Sequence, residues 1–159
     1  MDKQAAISPC GVYRSLLTRV WDDTLPIMGW IQLNPSKADH KIDDPTLRRD
    51  IGFAVREGFG GVWLTNLYDF RATDPKDLEK AEKPISQHND YYIKLMFEKC
   101  EKVVAGWGSN KMAIRGQGRV AELMSETDVL WCVGFTKDGF PRHPLYVKKD
   151  APLIRFQLQ

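Results

Sequence analysis

Between Ile31 and Thr46 the chain reads IQLNPSKADHKIDDPT. This stretch carries an amide (Asn34), a hydroxyl (Ser36), an imidazole (His40) and three carboxylates (Asp39, Asp43, Asp44). A positioned carboxylate can take a proton from water, whereas an amide can orient water but cannot accept its proton. Asp39 and Asp43 therefore compete for the role of general base, provided the loop folds back on itself. Asp44-Pro45 has the pattern of a helix N-cap followed by proline at the first helical position, and Asp43 shares the capping alternative. His40 stands near Asp39 and Asp43, but no HxH or HExxH spacing accompanies it, so neither a metal nor any other cofactor is expected.

The elements that would position these groups follow from the apolar pattern. Leu25–Leu33 reads as a buried strand that stops at Asn34-Pro35-Ser36. Val12–Trp21 reads as a strand turning at Asp22-Asp23 into Leu25–Leu33, which predicts a hairpin at the sheet edge. Leu47, Ile51, Ala54 and Val55 share one face of a helix over Asp44–Gly58, with Gly58 at the position of a left-handed cap. Val62–Thr65 follows as a strand, and this strand-helix-strand unit implies parallel pairing. The long connection Asn66–Pro84 has room for a helical turn at Asp77–Lys83. Ser86–Cys100 is expected to be a helix and Lys102–Trp107 a strand. Lys111–Met124 is expected to be a helix weakened by Gly116 and Gly118, and Val129–Gly134 a strand. The expected fold is an α/β three-layer sandwich around a central, mainly parallel four-stranded sheet, with an added N-terminal hairpin strand, as one domain over residues 1–159. In open sheets of this kind, ligands bind at the carboxyl ends of strands.

Composition narrows the function classes. Apolar residues make up 43% and charged residues 28% of the 159, which fits one globular domain with a proper core. The net charge of +2 does not announce a nucleic-acid binder, so DNA binding would need a local basic patch. Cys10, Cys100 and Cys132 form no CxxC pair and fit a reducing cytoplasm rather than a disulfide framework. No apolar run is long enough for a membrane span, so no membrane partner is expected, and a monomer is favoured.

Taken together, NPSKAD, DDPTLRR, GFGGVWLTNLYDFRATDP, VVAGWG and RHPLY resemble a widespread bacterial and phage family known as a domain of unknown function, from about Ile31 to Tyr146. Beneath that lies a broader resemblance to the uracil-DNA glycosylase superfamily. This second resemblance implies a fold of that type and an active-site strand end at Asn34-Pro35. It also implies a base-reading Asn66, a Trp107-Gly108 pair and a His143-Pro144-Leu145 loop. The chain departs from the superfamily pattern at Gln32-Leu33, where a glycine and a short residue are usual. It departs again at Arg142 and Tyr146, which flank a shortened His-Pro motif.

The chemistry so implied is hydrolysis of the N-glycosidic bond of a flipped base in DNA, modified bases included. Such a reaction has an oxocarbenium-like transition state. Asn34, Asp39, Asp43 and His143 are the candidate catalytic residues, with His143 donating a hydrogen bond to the departing base. Pro35, Ser36, Asn66, Tyr68, Phe70, Arg71, Trp107 and Gly108 are the candidate substrate contacts. Tyr68 or Phe70 would stack on a base, and Arg71 would hold a phosphate. For DNA, Lys111, Arg115, Arg142, Lys148 and Lys149 would meet phosphates, and Leu145 or Tyr146 would fill the gap left by the flipped nucleotide. Plainer roles stand beside each of these: Asn66 bonding its own loop, Tyr68 and Phe70 in the core, Arg71 bracing Asp74, and a solvated basic face. Two other functions fit the same residues, a hydrolase or transferase on free nucleosides or nucleotides and a non-catalytic nucleic-acid-binding module.

Overall fold

The centre of the fold is a strand that is apolar on both faces. In β3 (Ile27–Gln32), Met28 and Trp30 enter one buried cluster while Ile31 enters the other, so both faces need covering. The structure is a computed structural model and describes residues 1–158. The remaining strands are β1 (Asp2–Ile7), β2 (Arg14–Val20), β4 (Gly61–Asn66), β5 (Lys102–Ala105), β6 (Leu130–Cys132) and β7 (Ile154–Phe156). They form one seven-stranded mixed sheet in the order β1-β2-β4-β3-β5-β6-β7. β4, β3, β5 and β6 pair in parallel, whereas β1–β2, β2–β4 and β6–β7 pair antiparallel.

Helices cover the two faces. α1 (Pro45–Arg56) puts Leu47, Phe53 and Ala54 against Trp30, Val62 and Val104, and the Trp30 and Phe53 ring centroids lie 5.8 Å apart. On the other face, α3 (Asn89–Lys99), α4 (Lys111–Gly116) and α5 (Gly118–Leu123) bury Ile93, Met96, Met112 and Val120 against Ile31, Val103 and Ala105. Gly29 permits this approach, because a Cβ there would sit 2.7 Å from Met96 Cγ. A short α2 (Pro75–Lys80) lies in the long connection, capped by Asp74 accepting from the Lys76 N–H.

The sequence expectation is corrected at several points. The sheet has seven strands and is mixed, rather than four-stranded and mainly parallel. β2 does not make a hairpin with β3; its partners are β1 and β4. β3, with no polar face to offer water, takes the centre between β4 and β5 instead of the edge. The true N-terminal hairpin is β1–β2, and β7 closes the opposite edge on β6. The helix expected over Lys111–Met124 is two short helices that meet at Gln117, between Gly116 and Gly118. No helix among the described residues is long and apolar enough to cross a membrane.

Candidate active site

At the carboxyl ends of β3 and β5, the connections after β3, β5 and β6 and the 71–75 stretch enclose a cleft of about 650 Å3. The cleft gathers Asn34 and Ser36 from the first connection and Trp107 and Gly108 from the second. From the third come Arg142, His143, Leu145 and Tyr146. All eight were singled out by type and spacing, although they come from three segments far apart in the chain. Gly108 has φ +72°, a conformation that suits glycine, and its N–H donates to Pro141 O at 2.8 Å, which ties the second connection to the third. Trp107 is buried, with Nε1–H donating to Gln117 Oε1 at 3.1 Å and its ring edge-on to Phe156.

Other predicted site residues lie elsewhere. Neither Asp39 nor Asp43 lines the cleft. Asp39 Oδ1 accepts the N–H groups of Lys41 and Ile42, both at 2.8 Å, and these hold its carboxyl below the usual range. Asp43 Oδ1 accepts from Arg19 Nε at 2.9 Å and Lys3 Nζ at 3.4 Å. Burial pushes the Asp43 carboxyl up, but the hydrogen bond and charge of Arg19, together with Lys3, outweigh it and leave its pKa lowered. Arg19 is fully buried and also donates to the Thr18, Asp39 and Ile42 carbonyls, so this half of the loop is a structural clamp.

The remaining substrate contacts resolve into packing and loop ties. Asn66 is 1% exposed and its carbonyl accepts from Asn89 Nδ2; it is not on the cleft wall. Tyr68 is in the core with its hydroxyl donating to Met112 O at 2.7 Å, and Phe70 packs edge-on against Tyr13. Pro35 is buried and its carbonyl accepts from Ala72 N, while Arg71 donates to Ser36 O at 3.3 Å. Of the expected phosphate contacts, Lys111 pairs with Glu79, and Arg115 is exposed on α4. Lys148 and Lys149 are exposed. Lys149 lines a shallow groove with Arg48 and Arg49 of α1, and Leu145 borders both this groove and the cleft.

Three groups that the sequence does not mark as site residues, Arg14, Gln32 and Asp44, line the cleft, and a fourth, Asp50, backs Gln32. Arg14 is 3% exposed, yet lines the cleft; it donates to Ala38 O at 2.9 Å and leaves Nε without a partner. Burial lowers its pKa to about 10, with Asp44 and Asp50 opposing, so it stays a cation at neutral pH. Asp44 caps α1 through Oδ1, which accepts from the Leu47 N–H at 2.8 Å, and it also lines the cleft. Gln32, behind Asn34, donates through Nε2 to both oxygens of Asp50, at 3.0 and 2.9 Å. Asp50 is fully buried, and that burial drives its pKa well above the usual carboxylate range against the opposing Gln32 hydrogen bond. The available signals were polar residues interrupting apolar patterns: Gln32 inside a buried strand and Asp50 three residues after Leu47.

His143 is half-buried at the start of the 3₁₀ turn Pro144–Tyr146. Its Nδ1 accepts the Leu145 N–H at 3.2 Å, so the neutral ring carries its proton on Nε2. Burial lowers its pKa, opposed by Asp44, and the ring is a neutral hydrogen-bond donor at pH 7.

The family described as protein of unknown function (DUF1643) matches residues 14–145. The chain belongs to this family. The match begins at Arg14 on β2, upstream of the Ile31 start expected from the motifs, and takes in the buried arginine of the cleft. No curated protein and no solved structure matches the chain. Among the described residues, no three His, Cys, Asp or Glu side chains gather as metal ligands.

Proposed function

We propose that the cleft hydrolyses the N-glycosidic bond of a base flipped out of DNA, modified bases included. The observation that carries this reading is that the Asp44 carboxylate and the neutral His143 ring share one cleft at the strand ends. In the reaction, a water adds to the anomeric carbon as the bond to the base breaks, and the base leaves with the electron pair. Asp44 takes the proton of that water and, as an anion, favours the oxocarbenium-like centre. The Nε2–H of His143 donates to the departing base and stabilises its developing negative charge. The Arg14 guanidinium holds a positive field on the cleft wall. Of the strand-end motifs that carry the resemblance to the uracil-DNA glycosylase superfamily, those at Asn34, Trp107-Gly108 and His143 border this cleft, and the one at Asn66 does not.

DNA as the partner is supported by the groove of Arg48, Arg49 and Lys149 that adjoins the cleft at Leu145. Tyr146 is 77% exposed beside it and is the better wedge for the vacated stack. The test is release of alkali-labile abasic sites from DNA carrying uracil, damaged bases or phage-type modified bases. Wild type is expected to release them from at least one substrate, and His143→Ala to slow this by roughly 10²-fold or more. No abasic product across the panel defeats the proposal. A second reading, action on free nucleosides, draws on the pairing of Lys111 with Glu79, which removes one cation from the expected DNA edge. It predicts turnover of a nucleoside panel by mass spectrometry with no requirement for polymer.

A further inference from the structure

The two amides at the end of β3 have their donors already engaged. Asn34 Nδ2 donates to Ala72 O at 2.8 Å and to Pro35 O at 3.1 Å. Both partners are main-chain carbonyls, so the orientation of this amide is fixed: nitrogen toward the protein, oxygen away. Gln32 Nε2 donates to both oxygens of Asp50, the orientation that an ionised Asp50 requires. Among the described residues, no group donates to Asn34 Oδ1 or Gln32 Oε1, and neither oxygen is sealed from solvent. Both residues line the same cleft. In this arrangement the two amides present two acceptors from one strand end, that of Asn34 fixed by its two carbonyl partners and that of Gln32 set by its bond to Asp50. Elsewhere on the wall, His143 offers the opposite polarity through Nε2–H.

We infer that this cleft selects a heterocycle bearing an exocyclic amine, of the cytosine or adenine kind, over its oxo counterpart. The inference rests on the proposed reading that a base enters this cleft. An exocyclic amine carries two N–H groups, which match the Asn34 and Gln32 oxygens. The neighbouring ring nitrogen or carbonyl of such a base accepts, which suits His143. In uracil, thymine or hypoxanthine, a carbonyl replaces the amine. Oxygen would then face oxygen, and both acceptors would be left unpaired once the base had excluded water. Sites built around hydrogen bonds reject the wrong partner strongly for this reason. The two acceptors therefore point away from uracil as the preferred base.

The test measures binding of free bases to the intact chain by titration into isotope-labelled protein, following the side-chain amide signals of Asn34 and Gln32. Cytosine is compared with uracil, and adenine with hypoxanthine. Each amino base is expected to bind at least tenfold tighter than its oxo partner, with both amide signals shifting. Equal or tighter binding of the oxo bases overturns the inference. So does the absence of binding by any of the four in the millimolar range. Asn34→Ala, which removes the cleft-facing acceptor, is expected to reduce the amino-over-oxo ratio; an unchanged ratio in the folded variant overturns Asn34 as a selector. An amino preference without any abasic product defeats the hydrolytic reading and leaves this inference standing. Abasic product from uracil-containing DNA together with an oxo preference does the reverse.

Discussion

Asp43 and Asp44 are adjacent before α1, yet the first is tied to Arg19 and Lys3 while the second lines the cleft beside Arg14 and His143. The same loop thus makes two kinds of carboxylate site. On the Asp39–Asp43 side, backbone N–H groups and a buried arginine meet the carboxylate oxygens, which hold the loop closed. On the Asp44 side, one oxygen caps the helix and the group still borders open space. Residue type does not separate these neighbours; what separates them is whether the surrounding donors have already been satisfied within the fold. The two arginines repeat the contrast. Arg19 makes contacts through Nε and both terminal nitrogens, whereas Arg14, a residue of the cleft wall, has a buried, unpartnered Nε.

The largest expected effect on the clamp side comes from Arg19→Met. It strips partners from Asp43 and from three carbonyls, at a cost of about 3 kcal/mol in urea denaturation. The rate per folded molecule is expected to hold. If that rate collapses along with stability, the clamp and the cleft are one unit and the contrast between them breaks.

On the cleft side, pH separates the two regions. The folded pKa of His143 lies below its ordinary value, so the native state favours the neutral ring. The unfolded chain takes up this proton first as pH falls below about 6.5, and the His143 contribution to stability is lost between that pH and the lower folded value. Activity is expected to be flat at and above neutrality and to fall within the same acid window, because a protonated Nδ1 can no longer accept from Leu145. A profile unchanged in His143→Gln would move the controlling group elsewhere.

The smallest effect is expected from Asp39→Ala, which removes two local turn bonds at a partly exposed position, at a cost of about 0.5 kcal/mol, and leaves the rate untouched. Any clear drop in turnover would return Asp39 to the chemistry.

Local signals made much of this legible in the sequence. The apolar run of β3, the Asp44-Pro45 start of α1 and the polar strand ends are written in neighbouring residues, and they brought Asn34, Trp107 and His143 to the cleft. The pairing of β2 with β1 and β4 was not legible, because a tight Asp22-Asp23 turn suggests a hairpin and only burial of β3 on both faces forbids it. The sequence marks Asp44 as a cap, which it is, but a cap uses one oxygen and the sequence does not say where the other points. Arg14, Gln32 and Asp50 are polar residues inside apolar patterns. Their role emerges only when two strands and a helix from separate segments close around them. Asn66 shows the converse: its place at a strand end was legible, and its burial was not.

The central claim is that Asp44, and not its neighbour, serves the reaction. The most direct measurement compares turnover of Asp44→Asn with that of Asp43→Asn on whichever DNA substrate yields abasic sites. Asparagine caps a helix as well as aspartate does, so Asp44→Asn is expected to keep its melting temperature while losing roughly 10²- to 10⁴-fold in rate. Asp43→Asn is expected to weaken the Arg19 tie and keep the wild-type rate. A fully active Asp44→Asn, or a folded but inactive Asp43→Asn, would contradict the account.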